Sequence, residues 1–254
     1  PLDGERWKKP NYAWNLPEGA KVHRATVPVL LRSFRQRRLP AQGAVRQAAL
    51  LKGDAQLAGY YAARISPECR HLVVAQNLLP HLWKLGVLGG RTFDVLMLRW
   101  PLAELLGILD EAGRQHAGSV TLGDFRPDSD LVRAESEALA AAGKVITPHR
   151  AIAASFGHRA WLLDWAFPKV EPRNGAGVPG QFFLPCSPLG RKGVFELKEA
   201  FEGTPLKLIV LGRAREGLFY RPGLSISRDW RCGPWRWGSR SLPQKGVVCL
   251  SIAC

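Results

Sequence analysis

Two adjacent cations, Arg191 and Lys192, lie in a glycine-containing turn directly before a predicted helix, and this pattern can bind an anion. The turn spans residues 189–193, between the apolar run 182–185 and the segment 194–202, whose apolar residues recur at helical intervals. Backbone N–H groups and the helix dipole at such a position add to the two positive charges. The sequence therefore predicts a site for a phosphate-bearing ligand. The alternative is a solvated basic turn, because such turns are common.

The turn belongs to a predicted strand–helix–strand segment. Residues 182–185 and 206–211 are short apolar runs, and the amphipathic segment 194–202 lies between them. Two such strands joined by a helix form a right-handed unit of a parallel sheet. Open α/β sheets bind ligands at the carboxyl ends of their strands, which is where the turn lies.

The earlier part of the chain also alternates strands of four to seven residues with longer amphipathic helices. This alternation predicts a second parallel sheet covered by helices, so the fold class is α/β with two Rossmann-like domains, the second truncated. The predicted strands are 71–76, 92–98, 119–122, 144–147 and 161–165. The predicted helices are 42–63, 102–114, 131–142 and 150–156, and residues 77–88 are predicted as a loop and a helix.

Composition along the chain predicts the domain boundaries. An irregular arm at 1–20 precedes an α/β domain at 21–167, and the Pro- and Gly-rich stretch 168–180 is a linker. The second domain then occupies 181–228. The last segment, 229–254, carries three of the nine Trp and three of the five Cys without helical or strand periodicity, so we interpret it as an atypical tail. The alternative is a Trp-rich binding loop followed by a strand.

Three further side chains are candidates for a cleft site because each follows a predicted strand. Arg99 follows 92–98, Asp124 follows 119–122 and His149 follows 144–147. Asp124 and the nearby Asp128 could act as acid, base or metal ligand, and the alternative is a hydrated loop of helix caps. For His149 the alternative is an ordinary capping or surface histidine.

The chain is strongly basic, with a formal net charge of +15 and a pI of about 10.2. Residues 1–52 carry 11 Lys or Arg against 3 Asp or Glu, and the cluster FRQRR at 34–38 combines arginine with one aromatic ring. Such charge predicts attraction to nucleic acid, to an anionic membrane surface or to phosphorylated ligands. For the cluster alone, the alternative is a solvated helix end.

Several classes of site are disfavoured by what the sequence lacks. The five cysteines show no CxxC pairing, and the six histidines have no HExxH or i, i+4 spacing, so we predict no metal site and a reducing, cytoplasmic location. No apolar run is long enough for a membrane span. The chain begins at Pro1 rather than Met, from which we expect a fragment or a processed product.

With these motifs in place, the chain resembles GT-B glycosyltransferases of the retaining family 4 type. The segment LGRKGVFELKEAF followed by LKLIVLG is similar to the start of that family's donor domain, in which a Lys-Gly pair opens the first helix. EALAAAGKVITPHRAIAASFG is similar to the last helix, strand and following helix of the acceptor domain. The resemblance covers about residues 70–220 and implies diphosphate binding by Arg191, Lys192 and Gly193 in a cleft between two domains.

The sequence departs from this family at three points. The family's paired glutamates, spaced E-x7-E, have no counterpart because no two Glu lie eight positions apart. Ser187 stands where the family commonly has an arginine, and Arg99 with Trp100 stands where it often has a histidine. These departures leave the catalytic residues unassigned and predict a chain that is incomplete or inactive.

The resemblance implies transfer of a sugar from a nucleotide-diphosphate donor to a hydroxyl acceptor. No cofactor is expected, because the sugar nucleotide is itself the substrate. The basic first domain suits an anionic or membrane-associated acceptor, and a peripheral position at the membrane would follow. The alternative function is a basic α/β binding module for nucleic acid or an anionic membrane surface.

Overall fold

The chain folds into two units that interleave along the sequence. The computed structural model describes residues 18–19, 23–40, 42–165, 179–184, 186–210 and 216. The first unit holds the described residues up to 107 and residues 124–165, and the second holds 108–123 and the described residues from 179 onward. The predicted arm and linker lie almost wholly outside the described residues, and the predicted tail wholly so.

The first unit contains a four-stranded parallel sheet with its strands in sequence order. Each strand is a short run rich in aliphatic residues, which fits a pleated and partly buried position. Because all four strands are parallel, their carboxyl ends lie at one edge of the sheet. The strands are β1 His71–Ala75, β2 Thr92–Leu96, β3 Val145–Thr147 and β4 Ala160–Leu162.

Six helices belong to this part of the chain, and α4 continues from the first unit into the second. The helices predicted at 42–63, 102–114 and 150–156 are confirmed, with bounds that differ by two residues at most. The helices are α1 Thr26–Arg37, α2 Ala44–Ala62, α3 Leu79–Lys84, α4 Leu102–Gln115, α5 Ser129–Ala141 and α6 Arg150–Phe156.

Helix α5 begins two residues earlier than predicted. Its N-cap is Asp128, whose carboxylate accepts a 2.7 Å hydrogen bond from the amide of Leu131. The predicted start at residue 131 was therefore too late, because a short acidic side chain caps the helix at Asp128. Asp128 thus serves as a helix cap, which was the alternative reading of its role.

The strand predicted at 119–122 does not form, and this segment is a series of bends and turns. The hydroxyl of Ser119 lies within hydrogen-bond distance of the amides of Thr121 and Leu122, at 3.4 and 3.3 Å. Local bonds of this kind compete with pairing in a sheet, because they use the amides that a neighbouring strand would need. The short apolar run was therefore not a sufficient signal for a strand.

The second unit contains the predicted strand–helix–strand segment. Strand β5 (Gln181–Leu184) pairs in parallel with β6 (Lys207–Val210), and α7 (Val194–Phe201) connects them. Val194, Leu208 and Val210 form a small buried core, against which Phe182 of β5 and the two phenylalanines of α7 pack. This part of the sequence prediction is confirmed, as is the α/β class with parallel sheets.

Across the described helices, none has the length and apolar character needed to cross a bilayer.

The core of the first unit lies between the sheet and helices α3 and α5. Leu79, Val95, Met97 and Val145 are fully buried there, and Leu139 is nearly so. Leu79 opens α3 with a proline at the next position, so it fixes the helix start against the core.

We expect Leu79→Ala to lower the free energy of unfolding by about 2–5 kcal/mol, because it leaves a cavity in a packed core. The matched control is Leu85→Ala at the other end of α3, where the side chain is 54 % exposed and the change should stay within about 0.5 kcal/mol. Urea unfolding followed by circular dichroism measures both variants. Equal losses would show that this core does not support the unit.

Candidate functional site

The loop between β5 and α7 has the geometry of a tight turn that leads directly into a helix. Gly190–Lys192 form one turn of 3₁₀ helix, in which the amide of Lys192 donates to the carbonyl of Leu189 at 2.9 Å. The amide of Gly193 donates to the carbonyl of Gly190 at 3.1 Å. Arg191 and Lys192 are half-buried, and α7 starts two residues after Lys192.

Gly193 is the N-cap of α7 and has a φ of 73°, in the left-handed region. A residue with a Cβ is strained there, so glycine allows the chain to pass from the 3₁₀ turn into the helix at this angle. The three residues predicted to bind a diphosphate therefore form one continuous structure at the carboxyl side of a parallel strand.

A buried carboxylate, that of Glu216, ties this loop to residues 119–121 within the same unit. Its oxygens accept hydrogen bonds from the Ser119 hydroxyl at 2.9 Å and from the amides of Val120 and Gly190 at 3.2 Å each. The hydroxyl of Thr121 also donates to Glu216, and it accepts from the amide of Gly190 at 2.8 Å. One side chain thus joins two segments that are about seventy residues apart in sequence.

Close packing of Gly190 reinforces this junction. A Cβ at residue 190 would lie 2.8 Å from the hydroxyl oxygen of Ser119 and 2.9 Å from Cγ of Leu122. The rings of His116 and Phe195 stack nearby in the same unit, with centroids 3.9 Å apart. The start of the loop is therefore held rigidly, and its amide at Gly190 already has an anionic partner.

The hydrogen bonds decide the ionisation of Glu216. Burial alone would raise the pKa of its carboxyl group, but the bonds from Thr121, Ser119 and the two amides outweigh burial and lower the pKa. Glu216 is therefore an anion at neutral pH although its residue is only 3 % exposed.

In the first unit, Arg99 belongs to a buried polar network rather than projecting freely from the strand end. Its guanidinium pairs with Glu135 of α5 at 2.9 Å, and its amide donates to the side-chain oxygen of Gln76 at 3.2 Å. The amide of Leu102 donates to the other oxygen of Glu135. Arg99 thus links the ends of β1 and β2 to α5 and to the start of α4.

The pKa of Glu135 is shifted in the opposite direction from that of Glu216. Its residue is 1 % exposed, and burial raises its pKa. The charge of Arg99 and the bonds from Leu102 and Gln76 lower it, but they do not cancel the cost of burial.

Asp124 and His149 differ in their burial and in their contacts. Asp124 is buried, and its Oδ2 has no hydrogen-bond partner among the described residues. His149 is half-buried at the N-cap of α6, where its amide lies 3.2 Å from the Thr147 hydroxyl. Its ring meets the edge of Trp165 at a centroid distance of 5.5 Å.

The predicted site residues are divided between the units. Arg99, Asp124 and His149 lie in the first unit, and Arg191, Lys192 and Gly193 lie in the second. Within the part of the chain that the structure describes, no group of three or more His, Cys, Asp or Glu could hold a metal ion.

Comparison of the chain with protein-family models, with curated proteins and with solved structures finds no match in any of the three.

The two buried glutamates were missed at the level of sequence, for different reasons. Glu135 stands on the apolar face of α5, next to Ala134 and one turn from Leu131 and Leu139, so a charged residue at a core position could have indicated a buried ion pair. Glu216 offers no comparable signal, because its partners Ser119 and Thr121 are 97 and 95 residues away.

We expect Arg99→Met to lower the free energy of unfolding by about 2–3 kcal/mol, because Glu135 would lose its counter-ion. This is less than the cost for a fully buried pair, since the Arg99 side chain is 30 % exposed. The matched control is Arg133→Met, which breaks an exposed 2.8 Å pair with Asp130 on α5 and should cost no more than about 1 kcal/mol. Similar costs in urea unfolding would mean that the buried pair does not hold the strand ends.

We expect Glu216→Gln to destabilise the second unit by about 1–3 kcal/mol at neutral pH, because an amide group cannot accept all the hydrogen bonds that the carboxylate accepts. The folded pKa of Glu216 is lowered, so its contribution is complete above the unfolded pKa of about 4.3 and is lost as the pH falls through the folded value. The difference between variant and wild type should therefore shrink below about pH 4.

Urea unfolding of wild type and Glu216→Gln as a function of pH measures this effect. Glu196→Gln, an exposed position in the first turn of α7, is the control and should change little at any pH. A Glu216→Gln loss that stays constant with pH would contradict an ionised, hydrogen-bonded Glu216.

Proposed function

We propose that this chain is a glycosyltransferase-like protein that binds a nucleotide-diphosphate sugar at the loop between β5 and α7. The observation that carries the proposal is the placement of Arg191 and Lys192 in a 3₁₀ turn between a parallel strand and the N-terminus of a helix. In parallel α/β sheets this is the position at which phosphate groups are bound.

The first turn of α7 supplies the donors for an anion. By helix geometry, the first amides of α7 have no acceptor within the helix, and the dipole places partial positive charge at the same end. The Gly190 amide is not among these donors, because it bonds to Thr121 and Glu216. The amides of Lys192 and Gly193 already donate to the carbonyls of Leu189 and Gly190, so a diphosphate would be bound by the two cations and by the α7 amides from residue 194 onward.

The chemistry proposed for these cations is electrostatic. When the bond between the sugar and the diphosphate breaks, negative charge develops on the leaving group, and fixed positive charges stabilise it. Arginine and lysine suit this role because they remain charged at neutral pH and need not transfer a proton. Two carboxylates also lie near the loop, because Glu216 accepts from the Gly190 amide and Glu196 stands in the first turn of α7.

The GT-B architecture and the transfer of sugar to a hydroxyl acceptor remain parts of this proposal. The parallel sheets of both units support it at the level of fold class, and the resemblance of residues 70–220 supports the finer assignment. The sequence has no E-x7-E pair, so ligand binding is a better first test than turnover.

A basic binding surface is a second candidate, and the observation that favours it lies in helix α1. Residues 23–40 contain five arginines and no acidic residue. Nucleic acid and an anionic membrane surface both carry the phosphate groups that such a segment attracts.

The proposed function predicts that one of UDP, GDP or ADP raises the thermal stability of the chain. A ligand that binds only the folded protein adds about 2.7 kcal/mol at a hundredfold excess over its Kd. Lys192→Ala should remove most of this shift. Lys198→Ala is the matched control, because Lys198 is a similarly half-buried lysine in the last turn of the same helix and should leave the shift intact.

Two outcomes would contradict the proposal. One is a cooperative melt that none of the three nucleotides shifts. The other is a shift that Lys192→Ala and Lys198→Ala reduce equally, which would indicate attraction by net charge rather than a site at the loop.

A further inference from the structure

Helix α1 presents its large apolar side chains to solvent. Val27, Leu30, Leu31 and Phe34 follow the spacing of one helix face, and each is between 49 and 66 % exposed. An ordinary surface helix turns such a stripe toward the core. Single exposed apolar residues are common, but a continuous stripe on one helix face marks a surface that meets an apolar partner.

The opposite face of α1 carries Arg32 and Gln36 beside the partly buried Val29, and hydrogen bonds and an ion pair hold it against the first unit. Arg32 pairs with Asp54 of α2 at 2.7 Å, and Asn77 donates to the same carboxylate at 3.1 Å. Arg46 of α2 donates to the carbonyl of Gln36 at 3.1 Å. These contacts set the rotation of α1 about its axis, so the outward direction of the apolar stripe follows from them.

Helix α2 leaves room for this arrangement at Gly53. A Cβ at residue 53 would lie 3.0 Å from Nε of Arg32 and 3.1 Å from its Cδ, so the arginine side chain packs directly on the glycine backbone. The polar face of α1 is thus closely fitted to α2. Turning the apolar stripe inward would require breaking the partly buried pair of Arg32 and Asp54.

The charge beside the stripe is uniformly positive. Arg35, Arg37 and Arg38 are exposed at the end of α1, and the guanidinium of Arg38 lies over the ring of Phe34 at 4.4 Å from its centroid. The segment 23–40 has no acidic residue to neutralise them. One surface therefore combines a stripe of apolar side chains with a cluster of arginines.

We propose that α1 docks on an anionic lipid bilayer, with Val27, Leu30, Leu31 and Phe34 in the headgroup region and the arginines against lipid phosphates. A helix with one apolar and one basic region lies in the plane of such an interface. Nucleic acid would use the arginines but would give no reason for the apolar stripe. A second copy of the chain would bring two arginine clusters together without an acidic partner.

This inference deepens the second candidate function and is independent of the nucleotide site, because it rests on contacts within the first unit alone. Binding to the bilayer should require both the apolar stripe and the arginines. Loss of one basic residue near an anionic surface weakens binding about fivefold, and loss of one buried large apolar side chain weakens it about tenfold or more.

The test is co-sedimentation of the full chain with vesicles of phosphatidylcholine alone and with vesicles of phosphatidylcholine mixed with phosphatidylglycerol. We expect binding to the mixed vesicles that weakens with added salt, and far less binding to phosphatidylcholine alone. The double variant Leu30→Ser/Phe34→Ser should bind at least tenfold more weakly. Arg35→Ala/Arg38→Ala should lose the preference for phosphatidylglycerol.

Two controls separate this result from other causes. Leu85→Ser changes an apolar side chain in the first unit that is also about half exposed, and it should bind vesicles like wild type. Lys192→Ala should also bind like wild type, so a failed nucleotide test and a failed vesicle test remain distinguishable.

Five results would overturn the proposal. The first is equal binding to both kinds of vesicle, and the second is unchanged binding by Leu30→Ser/Phe34→Ser. The third is a melting temperature that is lowered in this variant but not in Leu85→Ser, because that result would mean that the stripe is covered within the chain. The fourth is loss of self-association in the variant, measured by sedimentation velocity, which would assign the stripe to a second copy. The fifth is binding of double-stranded DNA by wild type and variant alike, without vesicle binding, which would assign the arginines to nucleic acid.

Discussion

Parallel pairing of strands is the constraint on which the rest of this structure depends. Two parallel neighbours cannot be joined by a tight turn, so each connection has to cross over the sheet, usually through a helix. All four strands of the first sheet and both strands of the second obey this rule. The segments that follow the strands therefore collect at one edge of each sheet. Gln76, Arg99 and His149 lie at that edge in the first unit, and the loop with Arg191 and Lys192 lies there in the second.

Each of these edges is organised by a buried glutamate. Glu135 gathers Arg99, Gln76 and the amide of Leu102, while Glu216 gathers two hydroxyls and two amides. The two carboxyl groups differ because burial dominates at Glu135 and hydrogen bonding dominates at Glu216, so their pKa values move in opposite directions. In both units a single side chain connects segments that are distant in sequence, which makes the strand-end loops well defined.

Helix α1 illustrates how a polar contact can decide which surface a protein exposes. Burying the apolar stripe would normally be favourable, yet the pair of Arg32 with Asp54 and its bond from Asn77 occupy the inward face. The stripe is left outside beside a cluster of arginines, and this combination links the strong positive charge of the chain to a defined surface. Part of the positive charge of the chain thus has a defined position beside the apolar stripe of α1, which the net charge alone does not indicate.

The sequence by itself determined the kinds of element and most of their order. Period-3.6 and short apolar patterns predicted α2, α4, α6 and the strand–helix–strand segment closely, because these signals are local. The predictions of a strand at 119–122 and of a start of α5 at residue 131 were wrong, because local side-chain bonds compete with the expected pattern. The partners of Glu135 and Glu216, the burial of Asp124 and the outward rotation of α1 were decided only by the tertiary structure. Each depends on groups brought together from distant segments, and the local periodicity of a sequence does not predict such long-range contacts.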